Sequence, residues 1–299
     1  MTKFNKGLLF GVSAYIIWGL LPLYWKLVEE AGAYEILAHR GIWSLLICVS
    51  LLALRKQLKS AYEMVRSSRT FSLLFLASGL LTINWGVYIW SVTVNRVVEA
   101  ALGYYITPLI NVTFGVLLLR EKLRPAQWIA VALAAAGVVI LTLGYGSLPW
   151  IALVLAISWG SYSLIKKSLN LGALETLSLE TLFAFLPNLV FLLIIQGNGS
   201  AEFGSTWTIS ILLFGAGAAT VIPLLLFNGS TTRLPLSTVG LLQYITPTIM
   251  FVIGIYVNNE DISTTKVLGF AFIWLALAVL SRDLYRSSRP LDDGIAKAL

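Results

Sequence analysis

The chain has 299 residues, of which 58% are hydrophobic and only 12% are charged. An average soluble domain has about 25% charged residues, so this composition excludes a soluble globule, and the high hydrophobicity excludes a disordered chain. The remaining class is an all-α membrane protein that crosses the bilayer many times. One span takes about 20 apolar residues, so the length accommodates roughly ten spans, short connections and no separate soluble domain.

The excess of basic residues does not indicate a nucleic-acid partner. The net charge is +7, but Lys and Arg occur in short clusters between apolar runs, whereas nucleic-acid binding would gather them on one face. We therefore expect the protein to associate with the lipid bilayer and not with a nucleic acid. The single cysteine, Cys48, lies inside an apolar run, which excludes an intramolecular disulfide and a multi-cysteine metal site. The sequence predicts no metal and no other cofactor.

Apolar runs predict ten transmembrane helices. They lie at about residues 7–27, 34–54, 71–94, 97–119, 125–143, 148–166, 176–196, 208–230, 236–257 and 265–285. The first run follows Lys3 and Lys6 as in a signal sequence, but it continues past Pro22 without a small-residue cleavage pattern. We therefore expect a retained first span.

The distribution of basic residues predicts the orientation of these helices. With the N-terminus in the cytoplasm, 17 of the 21 Lys and Arg residues fall on the cytoplasmic side and 4 fall outside. Because cytoplasmic loops carry an excess of Lys and Arg, both termini are predicted to be cytoplasmic. This arrangement requires an even number of spans.

The two halves of the chain resemble each other. A Trp-Gly pair at 18–19 recurs at 159–160, and a Tyr-Ile-Thr-Pro string at 105–108 recurs at 244–247. We expect a first five-helix repeat at 1–145, a second at 146–286 and a cytoplasmic tail at 287–299.

Five is an odd number, so the second repeat would be inverted in the membrane. Inverted repeats are typical of secondary transporters that bind substrate near the midplane. The alternative is an old duplication retained for packing alone.

Six strings along the chain carry a family resemblance. They are Ala-Tyr-Ile-Ile-Trp-Gly at 14–19, Glu-Ile-Leu-Ala-His-Arg at 35–40, Asn-Trp at 84–85, Glu-Ala-Ala-Leu-Gly-Tyr-Tyr-Ile-Thr-Pro at 99–108, Leu-Ser-Thr at 236–238 and Gln-Tyr-Ile-Thr-Pro at 243–247. In these strings the chain resembles the drug/metabolite transporter superfamily, EamA type, and within it the RarD family. The resemblance covers nearly the whole chain and implies a permease of the bacterial cytoplasmic membrane.

Ionisable groups inside spans are candidate functional residues, because each costs about 2.5–3.5 kcal/mol at the bilayer centre. Arg40 is either a snorkelling interfacial arginine or a cavity residue that binds an anionic group or pairs with Glu99. His39, the only histidine, either titrates near neutral pH or packs. Glu35 and Glu180 are candidate gate residues. Glu180 corresponds to Arg40 in the repeat. The inversion of the second repeat would therefore place Arg40 near the outer mouth and Glu180 near the inner mouth.

Polar stripes on the third and fourth predicted helices are further candidates. On the third helix Asn84 and Tyr88 share a face with Ser91 and Asn95, and that face meets either a cavity or a partner helix. Trp85, beside this stripe, either stacks on a ligand or packs in the core.

On the fourth helix Tyr104, Thr107 and Asn111 share one face. Glu99, near the outer end, either carries a cation or a coupling proton or forms a salt bridge with Arg96.

The second half contributes Gln243 and Tyr244 as binding candidates. Pro108 and Pro247 each remove a backbone hydrogen bond, and their matching positions make them either hinges or static kinks. Lys167 ends a predicted span, where lysines usually snorkel.

These features predict a secondary-active or facilitative transporter that works by alternating access on small amphipathic metabolites or drugs. An amino-acid-like or zwitterionic substrate would place a carboxylate at Arg40 and an amine at Glu99. Both proton coupling and facilitated diffusion fit these features. A monomer and a dimer fit them equally. The alternatives are a channel and a non-transport receptor. An enzyme is not expected, because the chain lacks motifs such as HExxH and GxSxG.

Overall fold

The protein is described as a computed structural model for residues 2–93, 97–143, 149–257 and 264–288. These residues form helices joined by short connections. The helices are α1 (Lys3–Lys26), α2 (Gly32–Leu54), α3 (Leu58–Arg66), α4 (Ser68–Thr93), α5 (Val97–Leu117), α6 (Pro125–Leu143), α7 (Trp150–Leu169), α8 (Ala173–Gly197), α9 (Trp207–Thr231), α10 (Leu236–Leu242), α11 (Ile245–Tyr256) and α12 (Thr264–Ser288), with one turn of 3₁₀-helix at Glu29–Ala31.

Nine helical segments within the described ranges are long and apolar enough to cross a membrane. One of the nine combines α10 with most of α11, whereas α7, which has two lysines in its last turn, is not among them. The expectation of an all-helical, multi-pass membrane protein is thus confirmed.

The sequence prediction missed the short helix α3, which it treated as a cytoplasmic connection. α3 is amphipathic: Ala61 is buried against the end of α2, while Lys59 and Glu63 pair on the exposed side with Nζ and Oε1 3.9 Å apart. Nine residues are too few to span a bilayer, so this helix leaves the number of spans unchanged.

The predicted helix at 236–257 is interrupted in the structure. α10 ends at Leu242 and α11 begins at Ile245. Across the break, the amides of Gln243, Tyr244 and Thr246 donate to carbonyls three residues earlier. Pro247 favours such a break, because a proline ring clashes with the carbonyl four residues before it and has no amide hydrogen to donate. Pro108, its counterpart in the first half, lies inside the continuous helix α5.

Aromatic rings fill the centre of the bundle. The Trp18 and Trp159 rings meet edge to face with centroids 5.4 Å apart, and each also contacts Phe227 at 5.5–5.6 Å. Tyr15 and Tyr162 are almost completely buried beside them. These rings bring α1, α7 and α9 together at the centre of the bundle.

Small residues allow the closest helix crossings. At Gly217 of α9, an added Cβ would lie 2.5 Å from the Cβ of Trp43 and 2.7 Å from its carbonyl carbon. The Ser44 hydroxyl also donates to the Gly217 carbonyl at 3.3 Å. Because lipid supplies no hydrophobic drive between helices, close packing of this kind stabilises the α2–α9 contact.

We expect Gly217→Ala to destabilise the protein, because the new methyl group would meet the α2 backbone and force the two helices apart. Overpacking of this kind costs about 1–3 kcal/mol. The midpoint of thermal unfolding in detergent measures the effect. Gly86→Ala on α4 is the control, since nothing lies within 4 Å of its added Cβ. Equal unfolding midpoints for the two variants would contradict the close contact.

Candidate functional site

A central cavity of about 340 Å³ lies between the two halves of the chain. It is lined by Tyr15, Trp18, Leu21, Pro22, Trp25, Arg40, Asn84, Trp85, Tyr88, Gly103, Tyr104, Thr107, Leu155, Trp159, Gln243, Thr246, Pro247 and Met250. The volume falls at the lower end of the range for small-molecule sites, and the wall combines aromatic surface with a few polar groups, as such sites do. The cavity lies nearer the end of the bundle where α1 finishes than the end where it starts.

Among the described residues that line this cavity, Arg40 is the charged group. Its guanidinium carbon lies 4.8 Å from the ring centroids of both Trp25 and Trp85, and its Nε donates to the Thr220 hydroxyl at 2.9 Å. Side-chain ion pairs in the described part of the chain join His39 to Glu35, Lys59 to Glu63, Arg124 to Asp283 and Lys166 to Glu180, and Arg40 takes part in none of them.

The two rings compensate part of the Arg40 charge by cation–π attraction. The planar guanidinium keeps further N–H donors for an anionic group. This arrangement favours the cavity interpretation of Arg40 over a snorkelling arginine.

The contacts of Asn84 agree with both interpretations of the polar stripe, a cavity and a partner helix. Its amide nitrogen donates to the Leu155 carbonyl and to the Ser158 hydroxyl, both at 2.9 Å, so it joins α4 to α7 while it lines the cavity. Tyr88 and Tyr104 extend the same wall, with ring centroids 6.0 Å apart.

The break between α10 and α11 forms another part of the wall. Gln243 lies at the break and lines the cavity, and its side-chain oxygen accepts from the Asn111 amide at 3.2 Å. Asn111 is itself fully buried and does not line the cavity, so it positions Gln243. Tyr244 is also fully buried, and its hydroxyl donates to the Tyr105 carbonyl at 3.1 Å. The structure thus brings Gln243, but not Asn111 or Tyr244, to the cavity surface.

His39 and Glu35 lie away from the cavity. The Glu35 carboxylate accepts from the backbone amides of Glu202 and Phe203 at 3.0 and 2.8 Å. The His39 ring stacks on Phe203 at 4.6 Å, and its Nδ1 accepts from Trp43. This pair holds the α8–α9 connection against α2, which is the packing alternative for His39.

Lys166 and Glu180 form a buried ion pair that the sequence analysis did not foresee. The Lys166 Nζ lies 2.7 Å from the Glu180 Oε1 and 2.6 Å from the Thr176 hydroxyl, and Tyr162 donates to the Glu180 Oε2 at 3.1 Å. The charge count assigned Lys166 to the cytoplasm, but α7 continues to Leu169 and turns Lys166 inward.

Glu180 does not lie at a mouth opposite to Arg40. Both residues line a second cavity, next to the central one. The side chain of Glu99 lies outside the described part of the structure, as does Asn95.

Backbone-capping contacts close the end of the bundle where α1 begins. The Glu121 carboxylate accepts from the amides of Leu236 and Ser237 at 2.6 and 2.9 Å, and from the Ser237 hydroxyl at 2.7 Å. Lys167 donates to the Leu234 carbonyl at 2.5 Å. Lys167 therefore binds the chain between α9 and α10. The sequence analysis had expected it to snorkel, and it does not.

Comparison with known proteins identifies the family. The model of the EamA-like transporter family matches residues 5–143 and 148–282. The chain belongs to the EamA-like transporter family.

Its relatives include the protein RarD of Streptomyces exfoliatus, with 46% identity over 95% of this chain and 91% of that protein. An uncharacterized transporter of Bacillus subtilis, YojE, has 46% identity over 93% of this chain and 94% of that protein. Within the family, the predicted RarD-type membership is thus confirmed. A protein crystal structure shares the fold, with a TM-score of 0.73 at 17% identity over 95% of this chain and 99% of that one.

Sequence reasoning missed part of the aromatic wall of this transporter's cavity, although it had proposed Trp85, Tyr88 and Tyr104 as candidates. Trp18 and Trp159 served as markers of the repeat, while Tyr15 and Trp25 had no assigned role. The repeated Trp-Gly pair was the available signal, because equivalent residues of two repeats meet at the interface between them. The Trp18–Trp159 contact is such a meeting.

The buried ion pair gives a stability prediction. Lys166→Met or Glu180→Leu would leave one group buried without its charged partner, and such a loss costs about 3–5 kcal/mol. We expect a lower unfolding midpoint in detergent for each single variant and partial recovery in the double variant K166M/E180L. Lys59→Met, at an exposed pair, is the matched control. Single variants as stable as the control would contradict the stabilising role of the pair.

Proposed function

We propose that this transporter works by alternating access, as a secondary-active or facilitative carrier of small amphipathic organic molecules in the bacterial cytoplasmic membrane. The central cavity is the proposed substrate site and Arg40 its anchor. The observation that carries the proposal is a guanidinium held between two tryptophans in an aromatic cavity, without a carboxylate partner among the described residues. A positive charge kept inside a membrane at such cost is a functional feature by default.

The proposed architecture has ten spans, with α7 added to the nine apolar segments, arranged as two inverted repeats. The helix contacts support it. α1 packs against α9 and α11, and α7 packs in the same way against α4 and α5. Contacts between α2 and α8, α5 and α10, and α6 and α12 then pair equivalent helices of the two repeats. Repeats at 1–145 and 146–286 account for this pattern.

The capped end of the bundle is the proposed cytoplasmic gate. With the N-terminus in the cytoplasm, the Glu121–Ser237 and Lys167–Leu234 contacts lie on the cytoplasmic side, and the cavity lies toward the outside. The conformation would therefore be one that is closed to the cytoplasm. The nearby interruption at Gln243 supports a bending element, since discontinuous helices line the substrate sites of many secondary transporters.

The proposed substrate has an acidic group that binds Arg40 and an apolar or aromatic body that contacts the tryptophans. An amino-acid-like molecule would also place its amine toward Glu99. Protons are the proposed coupling ion, with facilitated diffusion as the alternative. Relatives named as transporters support the carrier function.

We expect Arg40→Gln to weaken substrate binding about tenfold to a hundredfold, because a hydrogen bond to a charged group contributes about 1.5–3 kcal/mol. A screen for ligand-induced thermal stabilisation first supplies a substrate, and flux into proteoliposomes then compares the variants. Arg40→Lys keeps the charge and should retain part of the flux. Lys59→Gln, on the exposed α3, is the control. Unchanged binding and flux in a folded Arg40→Gln variant would overturn the anchor role.

A pH gradient across the same proteoliposomes tests the coupling. Proton coupling predicts that an imposed gradient drives accumulation of substrate above its external concentration. Flux that is independent of the gradient would instead establish facilitated diffusion.

The proposed orientation predicts which loops are accessible from outside the cell. In a Cys48→Ser background, Ser200→Cys in the α8–α9 connection should react with a membrane-impermeant maleimide in intact cells. Ser68→Cys at the start of α4 should react only after permeabilisation. Both positions are exposed in the structure. The reverse pattern would invert the topology.

A further inference from the structure

The second cavity is separate from the aromatic centre of the bundle. It has a volume of about 370 Å³ and lies between α2, α4, α8 and α9. Its wall includes Arg40, Ser44, Phe75, Ser78, Gly79, Ile83, Trp85, Glu180, Ala184 and Thr220. Arg40 and Trp85 belong to both cavities, so the two spaces adjoin at the guanidinium group.

One side of this cavity faces the lipid. On α4, Phe75 is 61% exposed and Ile83 is 51% exposed. Gly79 lies between them on the same wall, and a Cβ added there would have no atom within 4 Å. The segment Ser68–Tyr88 of α4 is long and apolar enough to cross a membrane, so these exposed groups are placed to face acyl chains. The α4–α8 gap therefore has an exposed, apolar side that a surrounding bilayer would cover.

The opening is not a general feature of the helix contacts. Where α2 crosses α9, Gly217 lies directly against the backbone of Trp43, with no room for one methyl group. Between α4 and α8, the rings of Phe71, Phe75 and Phe183 instead form an edge-to-face cluster at 5.4–5.5 Å. These rings give the gap an apolar surface at its lipid-facing edge.

The inner end of the gap is positively charged. The Glu180 carboxylate, also on this wall, is engaged by Lys166 and Tyr162, so its charge is compensated locally. The Thr220 hydroxyl accepts a hydrogen bond from the Nε of Arg40 and from neither of its terminal nitrogens. Among the described residues of this wall, Arg40 is thus the charge without a charged partner, at the end of a lipid-exposed apolar space.

We infer that the α4–α8 gap is a lateral entrance through which an apolar monocarboxylate dissolved in the bilayer reaches Arg40. The carboxylate would bind the guanidinium group, and the hydrocarbon body would lie along Gly79 and Ala184. Charge complementarity selects an anion, and the apolar wall selects a ligand that partitions into lipid. This inference deepens the proposed function, because it assigns a substrate class and a route to the same anchor residue.

A photoreactive fatty acid tests the entrance directly. The full-length protein in lipid nanodiscs is illuminated with a diazirine-bearing sixteen-carbon fatty acid, and adducts are located by mass spectrometry. We expect saturable labelling on the segments of α4 and α8 that line the gap, competed by excess palmitate. The methyl ester of the probe, which has no carboxylate, should label without saturation.

Two kinds of variant separate binding from passive lipid contact. Arg40→Gln should lower the apparent affinity of the acid about tenfold or more, because it removes the charge partner. Gly79→Phe should fill the gap and reduce saturable labelling by a similar factor, and Ala184→Phe repeats the test from the α8 side. Gly86→Phe is the matched control, two turns along α4 on the same face but not part of the cavity wall. Thermal unfolding confirms that each variant is folded.

Labelling that does not saturate, or that persists in the Gly79→Phe and Ala184→Phe variants, would show that the gap is only a lipid-filled groove and would overturn the inference. Binding of a water-soluble carboxylate, indole-3-acetate, is measured in parallel by thermal stabilisation. If indole-3-acetate binds in an Arg40-dependent manner while the fatty acid does not, the lateral entrance fails and the central site stands. If neither binds, the lateral entrance fails, and the comparison of Arg40→Gln flux with the screened substrate decides the anchor role separately.

Discussion

The cost of placing charge in a medium without water governs this structure. Hydrocarbon offers neither hydrogen bonds nor counter-ions, so each charged group inside the bundle must be compensated by the protein. Lys166 and Glu180 neutralise each other, with Thr176 and Tyr162 satisfying remaining hydrogen-bonding positions. Arg40 is treated differently, since aromatic faces and one hydroxyl compensate it only in part. That difference separates a structural ion pair from a candidate binding group.

Backbone polarity obeys the same constraint and explains how the helix ends are built. Glu121 binds the free amides at the start of α10, and Lys167 binds a carbonyl just before it. The interruption at Gln243 is tolerated because its amides find carbonyls three residues earlier and because it borders a cavity. Irregular backbone at membrane depth occurs where protein or a cavity surrounds it. The interruption between α10 and α11 therefore borders the proposed substrate site.

Helix contacts of two kinds shape the spaces between spans. Where small residues meet bulky ones, as at Gly217 and Trp43, the helices touch along their backbones and leave no opening. At Gly79, by contrast, an added Cβ would meet no atom, and the residue lines a cavity between α4 and α8. The same residue type thus closes one interface and opens another, so composition alone does not distinguish them.

The sequence by itself determined the properties that depend on local chemistry: the helical membrane class, nearly all helix positions and the family. Apolar length and motif strings contain this information without reference to neighbours. It also placed Arg40, Asn84, Tyr88 and Gln243 among the cavity candidates. Only the tertiary structure decided which of two faces each side chain meets. Tyr244, among others, lies away from the cavity, and Lys166 points into the bundle. The physical reason is that a polar group in a span must face some partner, and helix packing alone decides which one.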